Sequence, residues 1–278
     1  MGSKIVCWWS GGITSAVSCK IAIDLFGVKN CDVIFIDTKN EDPDTYRFKD
    51  DCEIWYGCKI NSISAIGPGK KYESIEDVWF DYGYLNVAHG AICSSELKRQ
   101  VRLDYQKRND YLHQVFGFDF SKRESNRCLN IKRNYPSSKP IFPLWMYGYS
   151  KNDCARILNE NGIEVPQSYK NGFDNNNCIM TGCVQGGVGY WQKYKRVYPE
   201  RFEKMAEREH ILSGMQGKPI TICKDQSKEA KDVGLVNVFL KHNPKYPKHK
   251  DISMIKGVEP MGLPECNGFC GTQFKMFE

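Results

Sequence analysis

The fold is decided by KIVCWWSGGITSAVSCKIAIDLFGVKNCDVIFIDT, residues 4–38. Two apolar runs, KIVCWW at 4–9 and CDVIFIDT at 31–38, flank a glycine pair and a longer mixed segment. Short apolar runs bounded by turn residues predict buried strands, and their near-continuous hydrophobicity is typical of a parallel sheet covered on both faces. The stretch therefore predicts one β-α-β unit.

The segment between the two runs predicts a helix over residues 13–27. Val17, Ile21 and Leu25 recur at intervals of four and are expected to share one face of this helix. Gly27 follows the last of them and is expected to end the helix.

The pattern continues along the chain. DPDTYRFKDDCEIWYG at 42–57 predicts a helix and CKINSISAI at 58–66 a third strand. Residues 72–135 are expected to be mostly helical and basic, and 139–148 to be a strand or a loop. Alternating strands and helices predict an α/β fold with a doubly wound, mostly parallel sheet.

The second half of the chain is richer in loops. Ser150 is expected to cap a helix that ends at Gly162, and GYWQKYKRVYPERFEKMAEREHILS at 189–213 predicts one further long helix. We expect an α/β domain over 1–170 and a cysteine-bearing region of helices and loops over 171–278, packed on the active site.

Composition limits the class of protein. The 278 residues carry a formal net charge of +6, which is compatible with nucleotide or nucleic-acid ligands. The sequence has no long apolar run and no signal-peptide pattern, so we expect a cytoplasmic protein without a membrane span. Thirteen cysteines then point to metal or thiol chemistry. Eight isolated ones are expected to be buried small hydrophobic residues: Cys7, Cys19, Cys31, Cys52, Cys58, Cys128, Cys154 and Cys223.

The loop SGGITS has the composition of an anion site. Gly11 and Gly12 allow a ligand to approach the backbone closely, and Ser10, Thr14 and Ser15 add hydroxyl donors. The unpaired N–H groups and the dipole at a helix N-terminus favour phosphate. The loop is neither the Walker A pattern nor G-x-G-x-x-G, and a plain strand-to-helix turn is the alternative interpretation.

Five segments in order resemble the phosphoadenosine phosphosulfate (PAPS) reductase-like family of the PP-loop ATP-pyrophosphatase, or adenine nucleotide alpha hydrolase, superfamily. SGGITS (10–15) resembles the PP-loop S-G-G-x-D-S, and FIDTKNEDPDTYRF (35–48) resembles D-T-G-x-x-x-P-E-T. ICSSELKRQVR (92–102) resembles the family's C-x-x-x-x-K segment. Residues 142–183 and 190–209 continue the likeness.

The resemblance implies positions for an adenine nucleotide, ATP or PAPS. The loop from Ser10 to Ser15 would hold the phosphates, and Ile36, Asp37 and Thr38 would border the adenosine.

It also implies that three basic residues of one helix act on the phosphate or sulfate end. Lys98 and Arg99 are the predicted catalytic cations, and Arg102 is predicted to bind the nucleotide. The alternative is a solvated helix face.

Two features of the loop bear on the reaction. Thr14 stands where the motif has aspartate. A hydroxyl can donate to phosphate, whereas a carboxylate is the group that binds Mg²⁺. Gly11 and Gly12 are both kept, whereas dedicated PAPS reductases usually lose them. This favours the branch that cleaves ATP to AMP and pyrophosphate.

Five cysteines are candidate metal ligands. Cys178 and Cys183 are spaced C-x4-C, Cys266 and Cys270 are spaced C-x3-C, and Cys93 is the fifth. Adenylyl-sulfate reductases, which the chain resembles, carry a [4Fe–4S] cluster near the places matching Cys93 and Cys178–Cys183, although the ligand spacing here differs. A [4Fe–4S] cluster, a zinc ion and no metal are the three alternatives.

The sequence predicts sulfur transfer driven by ATP with Mg²⁺, with a nucleic acid as one plausible acceptor, in a homo-oligomer. HNPKYPKHK at 242–250 could contact such a nucleic acid or form a solvated loop. One alternative is sulfonucleotide reduction to sulfite, with Cys266 as the nucleophile and a thioredoxin-like protein as the reductant. The other is a non-catalytic protein that binds a nucleotide or senses through an iron–sulfur cluster.

Overall fold

The two apolar runs of the N-terminal stretch form neighbouring parallel strands. The computed structural model describes residues 4–87, 90–176 and 178–258. In it, β1 (Lys4–Trp9) pairs with β2 (Cys31–Ile36) in parallel, as predicted. Between them α1 (Ile13–Phe26) ends at Gly27, whose φ of 87° suits glycine and whose N–H donates to Ile23 O at 2.8 Å.

The other elements follow in chain order. The strands are β3 Ile60–Ile63, β4 Asn86–Val87, β5 Gly90–Ala91, β6 Tyr111–Val115, β7 Pro140–Ile141, β8 Cys223–Lys224 and β9 Asn237–Val238. The helices are α2 Pro43–Tyr56, α3 Ile75–Tyr82, α4 Ile92–Ser94, α5 Val101–Arg108, α6 Lys122–Asn134, α7 Pro143–Tyr147, α8 Lys151–Glu160, α9 Gln167–Lys170, α10 Val188–Val197, α11 Pro199–Gln216 and α12 Lys228–Asp232. A π-helical segment, Ser95–Gln100, joins α4 to α5.

Within the described ranges, five strands form one parallel sheet in the order β3-β2-β1-β6-β7. The chain winds outward from β1 to β3 on one side and from β6 to β7 on the other. The order therefore reverses between β1 and β6, and ligands of such sheets bind at the carboxyl ends of the strands beside this switch point. The predicted α/β, doubly wound class is confirmed.

Helices cover both faces of the sheet, which explains the continuous hydrophobicity of β1 and β2. Ile5, Cys7 and Trp9 point to the face covered by α1, α2, α7 and α8. Val6 and Trp8 point to the opposite face, where they meet α5 and α6. A third apolar cluster joins residues 66–97 to residues 173–255, so the later part of the chain shares a core with an earlier segment. The predicted boundary at residue 170 stays a prediction.

Several element predictions need correction. The sequence predicts a mostly helical region over 72–135, but β6 lies inside it and forms the neighbour of β1. YLHQV carries polar His113 and Gln114, so its strand character comes from its pairing with β1 on one side and β7 on the other. The predicted helix over 189–213 is two helices, because Pro199 lacks the N–H needed to continue α10.

The single apolar face predicted for α1 is also wrong. Val17 is buried and Ile21 is partly buried, whereas Leu25 is 47% exposed. The first half of α1 is instead buried on all sides, from Ile13 to Cys19, because it inserts between the sheet and the neighbouring helices.

Other predictions hold in whole or in part. Residues 139–148 are predicted as a strand or a loop: β7 is present, but the prediction misses helix α7, whose first residue, Pro143, has a φ suited to starting a helix. Ser150 caps α8 in a reciprocal pair with Asp153, and Gly162 follows the end of that helix with a φ of 70°. Seven of the eight isolated cysteines are buried, and Cys58 is half-buried. No described helix is long and apolar enough to cross a bilayer.

Glu209 on α11 is the most completely buried acid of the later core. Its two carboxylate oxygens accept the N–H groups of Ile222 at 2.8 Å and Leu240 at 2.6 Å, which ties α11 to the segments around β8 and β9. Burial raises the pKa of Glu209 to about 8, although the two N–H donors and the charge of Lys224 each act to lower it.

This raised pKa predicts a pH-dependent stability. Between about pH 4.5 and 8 the folded chain holds a proton on Glu209 that the unfolded chain has lost. The free energy of unfolding therefore falls as the pH rises through this window. We expect the free energy of unfolding to decrease over this window by roughly 1–3 kcal/mol more in the wild type than in Glu209→Gln. Urea unfolding at pH 5, 6, 7 and 8 measures it. Glu207→Gln, at an exposed position of the same helix, is the control, and an unchanged pH slope in Glu209→Gln would contradict the assignment.

Candidate functional site

The glycine loop after β1 is held in a fixed shape by its own hydroxyls. The N–H and the Oγ of Ser10 each lie 3.0 Å from Ser15 Oγ, and Ser15 Oγ donates to Gly12 O at 2.8 Å. Gly12 is extended and precedes the first residue of α1 without a side-chain cap. The loop thus leads directly into a helix N-terminus, where the first N–H groups lack intrahelical partners.

Gly11 lies against α2 and against a loop near residue 176. Its φ is 81°, and a Cβ there would lie 2.9 Å from Thr45 Cγ2. Asn176 Nδ2 donates to Gly11 O at 3.0 Å and lies 2.8 Å from Thr45 Oγ1, while Ser168 Oγ donates to Asn176 Oδ1 at 2.8 Å. A side chain at position 11 would therefore displace Thr45 and would be strained by the positive φ. The sequence analysis did not single out Asn176. Its only local signal is a run of asparagines in a loop that contains glycine.

Gly117 fixes the other side of α1. It follows β6, and a Cβ on it would lie 2.4 Å from Ser15 Cα and 2.6 Å from Ser15 N. Ser18 Oγ also donates to Phe116 O at 3.2 Å, which holds the same two elements together. The first turn of α1 thus rests on the backbone of β6. Sequence reasoning missed Gly117 as well, because no local pattern marks a contact between such distant segments.

A cavity of about 350 Å³ opens beside this contact, at the switch point between β1 and β6. The N-terminal turns of α1 and α8 both line it, so two helix dipoles present their positive ends. Lys151 lines it with its Nζ bound to Asp174 O and, at 2.8 Å, to Asn175 Oδ1. The lining residues are Thr14, Gly117, Asp119, Ser121, Arg123, Glu124, Ser150, Lys151, Asn152, Asp174 and Asn175. The arrangement suits an anion.

Thr14 is the predicted nucleotide-binding residue that faces this cavity. Its side chain is 1% exposed, and its Oγ1 has no hydrogen-bond partner within the described part of the chain. Buried hydroxyls are nearly always paired, so this oxygen is set up for a group that the protein itself does not supply.

The residues predicted to border the adenosine lie at the carboxyl end of β2. Ile36, Asp37 and Thr38 are buried there and do not line the cavity. Asp37 is already engaged: its carboxylate accepts from Lys39 N at 2.8 Å, Lys39 Nζ at 2.7 Å and Tyr46 Oη at 3.0 Å. This carboxylate orders the turn that leads from β2 to α2.

Lys98 and Thr38 meet through a residue that sequence reasoning did not single out. Lys98 Nζ lies 3.8 Å from Glu41 Oε1, and Thr38 Oγ1 donates to the same oxygen at 2.8 Å. Lys98 and Glu41 are both almost fully buried, and Lys98 lies in the π-helical segment, a distortion frequent at functional sites. The structure therefore connects two of the predicted site segments.

The other two predicted cations have different surroundings. Arg102 is buried, its guanidinium lies 5.8 Å from the centre of the Tyr135 ring, and burial lowers its pKa to about 10, so it stays charged at neutral pH. Arg99 is exposed, which fits the solvated helix face kept open as an alternative. The roles predicted for these residues and for Lys98 stay predictions.

Three of the five predicted metal ligands lie in one apolar cluster. Cys93 and Cys178 are buried in it and Cys183 packs against it. The N–H of Cys183 donates to Tyr190 Oη at 3.1 Å; burial and then the nearby Cys183 and Cys178 thiols raise the pKa of Tyr190.

These three cysteines do not by themselves form a metal site. Across 4–87, 90–176 and 178–258, no group of three or more His, Cys, Asp or Glu side chains is arranged to hold a metal ion. Cys266 and Cys270 lie outside the described residues. The described residues alone do not complete a cluster ligand set.

The parallel sheet, the glycine loop and the cavity at its switch point define an α/β protein with a candidate ligand site at the start of α1. A family model described as the phosphoadenosine phosphosulfate reductase domain matches residues 4–184. The chain belongs to this family.

Two known proteins are similar to parts of the chain. A protein of Methanocaldococcus jannaschii, described as uncharacterized, is 30% identical over 200 residues, which are 70% of this chain and 39% of that protein. The chain thus spans about two fifths of that relative's length. A crystal structure of PAPS reductase from Candida auris in a phosphate complex has a TM-score of 0.42 and 16% identity, with 62% of this chain and 80% of that one covered.

The contact at Gly117 predicts a large effect of one added methyl group. In Gly117→Ala the new Cβ meets backbone atoms of Ser15, which cannot rotate away, so β6 or α1 must shift. We expect a loss of roughly 1–3 kcal/mol in the free energy of unfolding, measured by urea denaturation. Gly214→Ala is the control: Gly214 lies in α11, where an added Cβ would meet no atom within 4 Å, so alanine should stabilise by about 0.5–1 kcal/mol. Equal effects of the two changes would contradict this account.

The cysteine hypothesis predicts bound iron. We expect anaerobically purified protein to contain iron and sulfide, and Cys93→Ala or Cys178→Ala to lower the iron content. Cys58→Ala, at a half-buried cysteine outside this cluster of side chains, should leave it unchanged. Colourless, iron-free wild-type protein would refute the iron–sulfur prediction, and zinc found by metal analysis would favour the zinc alternative.

Proposed function

We propose that the protein binds ATP at the carboxyl ends of β1 and β6 and uses it to activate an acceptor for sulfur transfer. The observation that carries this proposal is the cavity at the switch point, where the N-termini of α1 and α8 converge. Beside them lies the buried Thr14 hydroxyl, which has no partner among the described residues. Membership of the PAPS reductase domain family supports a sulfonucleotide-related, nucleotide-binding enzyme.

The loop supports ATP over a sulfonucleotide. Gly11 and Gly12 are both present, and Gly12, the residue before α1, has no side chain that would keep a ligand away from the backbone. Bare backbone lets phosphate oxygens reach N–H groups directly. The resemblance associates this intact glycine pair with the branch that releases pyrophosphate.

The proposed chemistry has two displacements. An acceptor oxygen attacks the α-phosphorus of ATP; the new O–P bond forms as the bond to the β-phosphate bridge breaks, and pyrophosphate leaves with the electron pair. A sulfur nucleophile at the oxidation level of sulfide then forms a bond to the activated acceptor carbon, and AMP departs with the C–O electrons. The α1 N-terminus, with Arg123 and Lys151, would stabilise the charge on the leaving pyrophosphate.

Lys98 would act at a different place from these cavity cations. It neutralises Glu41 and thereby orders Thr38 at the end of β2, next to the proposed adenosine position. In this proposal Lys98 positions the β2 end. Magnesium, when bound with ATP, would neutralise phosphate charge at the cavity.

Two competing functions stay open to experiment. Sulfonucleotide reduction would use Cys266 as the nucleophile and a thioredoxin-like reductant, and that cysteine lies outside the described residues. A non-catalytic nucleotide-binding protein would bind without turnover. The nucleic-acid acceptor, the homo-oligomeric state and the cytoplasmic location stay predictions.

Thermal unfolding with nucleotides separates these functions. A ligand at a hundred times its Kd stabilises the folded state by about 2.7 kcal/mol, so we expect ATP with Mg²⁺ to raise the Tm more than PAPS or adenylyl sulfate does. Lys151→Gln, which removes a cavity cation, should reduce the shift, whereas Lys248→Gln, at an exposed position, should keep it. A larger shift with PAPS or adenylyl sulfate would favour reduction, and ATP binding without pyrophosphate release from any acceptor tested would favour the non-catalytic alternative.

A further inference from the structure

The cavity contains a second buried oxygen that lacks a partner among the described residues. Asp119, just past the end of β6, lines the cavity together with Thr14. Its Oδ1 is inaccessible to solvent and accepts no hydrogen bond from the described part of the chain. Leaving a buried polar atom unpaired costs about 1–3 kcal/mol, and more when the group is charged. Two residues of one cavity wall, Thr14 and the partly exposed Asp119, thus each carry a buried oxygen that lacks a partner among the described residues.

The charge of Asp119 decides what kind of ligand group contacts it. A carboxylate beside two helix N-termini, in a cavity that suits phosphate, would repel a phosphate placed directly against it. A divalent cation between the carboxylate and the phosphate removes that repulsion and accepts oxygen ligands from both. The Thr14 hydroxyl is a neutral oxygen that either the cation or a phosphate oxygen could use.

We propose that Asp119 supplies the carboxylate that binds Mg²⁺ at the nucleotide phosphates in this protein, an inference that rests on the proposed ATP-binding function. The PP-loop motif that SGGITS resembles has aspartate at position 14, where this chain has threonine. Asp119 approaches the same cavity from the end of β6. The carboxylate that binds the metal would thus lie just past the end of β6 and not in α1.

The sparse donor set agrees with magnesium. The described residues contain no group of three or more acidic, histidine or cysteine side chains arranged around a cation. Mg²⁺ typically binds through one or two carboxylates, keeps several waters and takes further oxygens from substrate phosphates. Of the three acidic residues on the cavity wall, Asp119, Glu124 and Asp174, one carboxylate is sufficient for a cation that arrives with ATP, and the site should bind free metal weakly.

The test is calorimetric titration of the full chain with ATP in Mg²⁺ and in EDTA, paired with electron paramagnetic resonance of Mn²⁺ in the presence of ATP. We expect Mg²⁺ to tighten ATP binding to the wild type and one Mn²⁺ per bound ATP to become immobilised. Asp119→Asn should lose on the order of tenfold or more of the metal-dependent gain while binding ATP in EDTA at least as tightly, because a repulsive charge is gone. Its Mn²⁺ signal should be that of ATP alone in solution.

Two further variants make the result specific. Asp174→Asn removes a different carboxylate from the same cavity, and it should keep most of the metal-dependent gain. The double variant Thr14→Asp with Asp119→Asn returns a carboxylate to the loop, and we expect it to regain Mn²⁺ immobilisation. This rescue also shows that loss in the single variant does not come from misfolding.

The outcomes separate this inference from the proposed function. Metal-dependent ATP binding that survives Asp119→Asn, or that Asp174→Asn abolishes equally, overturns the assignment of Asp119 and leaves ATP binding intact. Identical wild-type affinities in Mg²⁺ and EDTA overturn it as well. Wild-type protein that binds no ATP under either condition refutes the proposed function and the inference with it.

Discussion

The close approach of α1 to β6 is the constraint on which the site depends. Gly117 leaves no room for a Cβ, so the backbone of Ser15 rests directly on the end of β6. On the other side Gly11 is pressed against Thr45 and bound by Asn176. The start of α1 is therefore fixed between the backbone after β6 and the side chains of Thr45 and Asn176, and its second residue, Thr14, lines a cavity whose walls come from four separate segments. Rigid placement of this kind lets backbone dipoles stabilise an anion without first reorganising.

Buried charges order the neighbouring end of β2. Asp37 accepts three hydrogen bonds from Lys39 and Tyr46, and Glu41 accepts the Thr38 hydroxyl close to Lys98. Buried ion pairs contribute little net stability, since desolvation offsets much of their attraction. Their role here is to fix geometry: the carboxylates of Asp37 and Glu41 hold the turn between β2 and α2 in place. Arg102 lies in α5, four residues after Lys98. Burial lowers its pKa to about 10, so it remains a cation at neutral pH.

Sequence reasoning succeeded where local pattern and tertiary burial agree. The apolar runs of β1 and β2, the glycine loop, the end of α1 at Gly27 and the capping by Ser150 were all predictable, because each depends on residues close in the chain. It failed for β6, whose YLHQV pattern is too polar to signal a strand, and for Leu25, which is exposed although it fits the helical period. In both cases the neighbours that decide burial are far away in sequence.

Local sequence was enough to predict the fold class, the family and the position of the glycine loop before α1, because hydrophobic period, turn residues and short motifs are local properties. The set of side chains that share the cavity became visible only in the folded chain. Asp119, Lys151 and Asp174 come to this cavity from three distant segments, and Glu41 joins Thr38 to Lys98 across about sixty residues. Such meetings follow from the strand order β3-β2-β1-β6-β7, which brings the end of β6 beside the start of α1. No spacing within the chain encodes that order, since it results from the packing of both faces of the sheet.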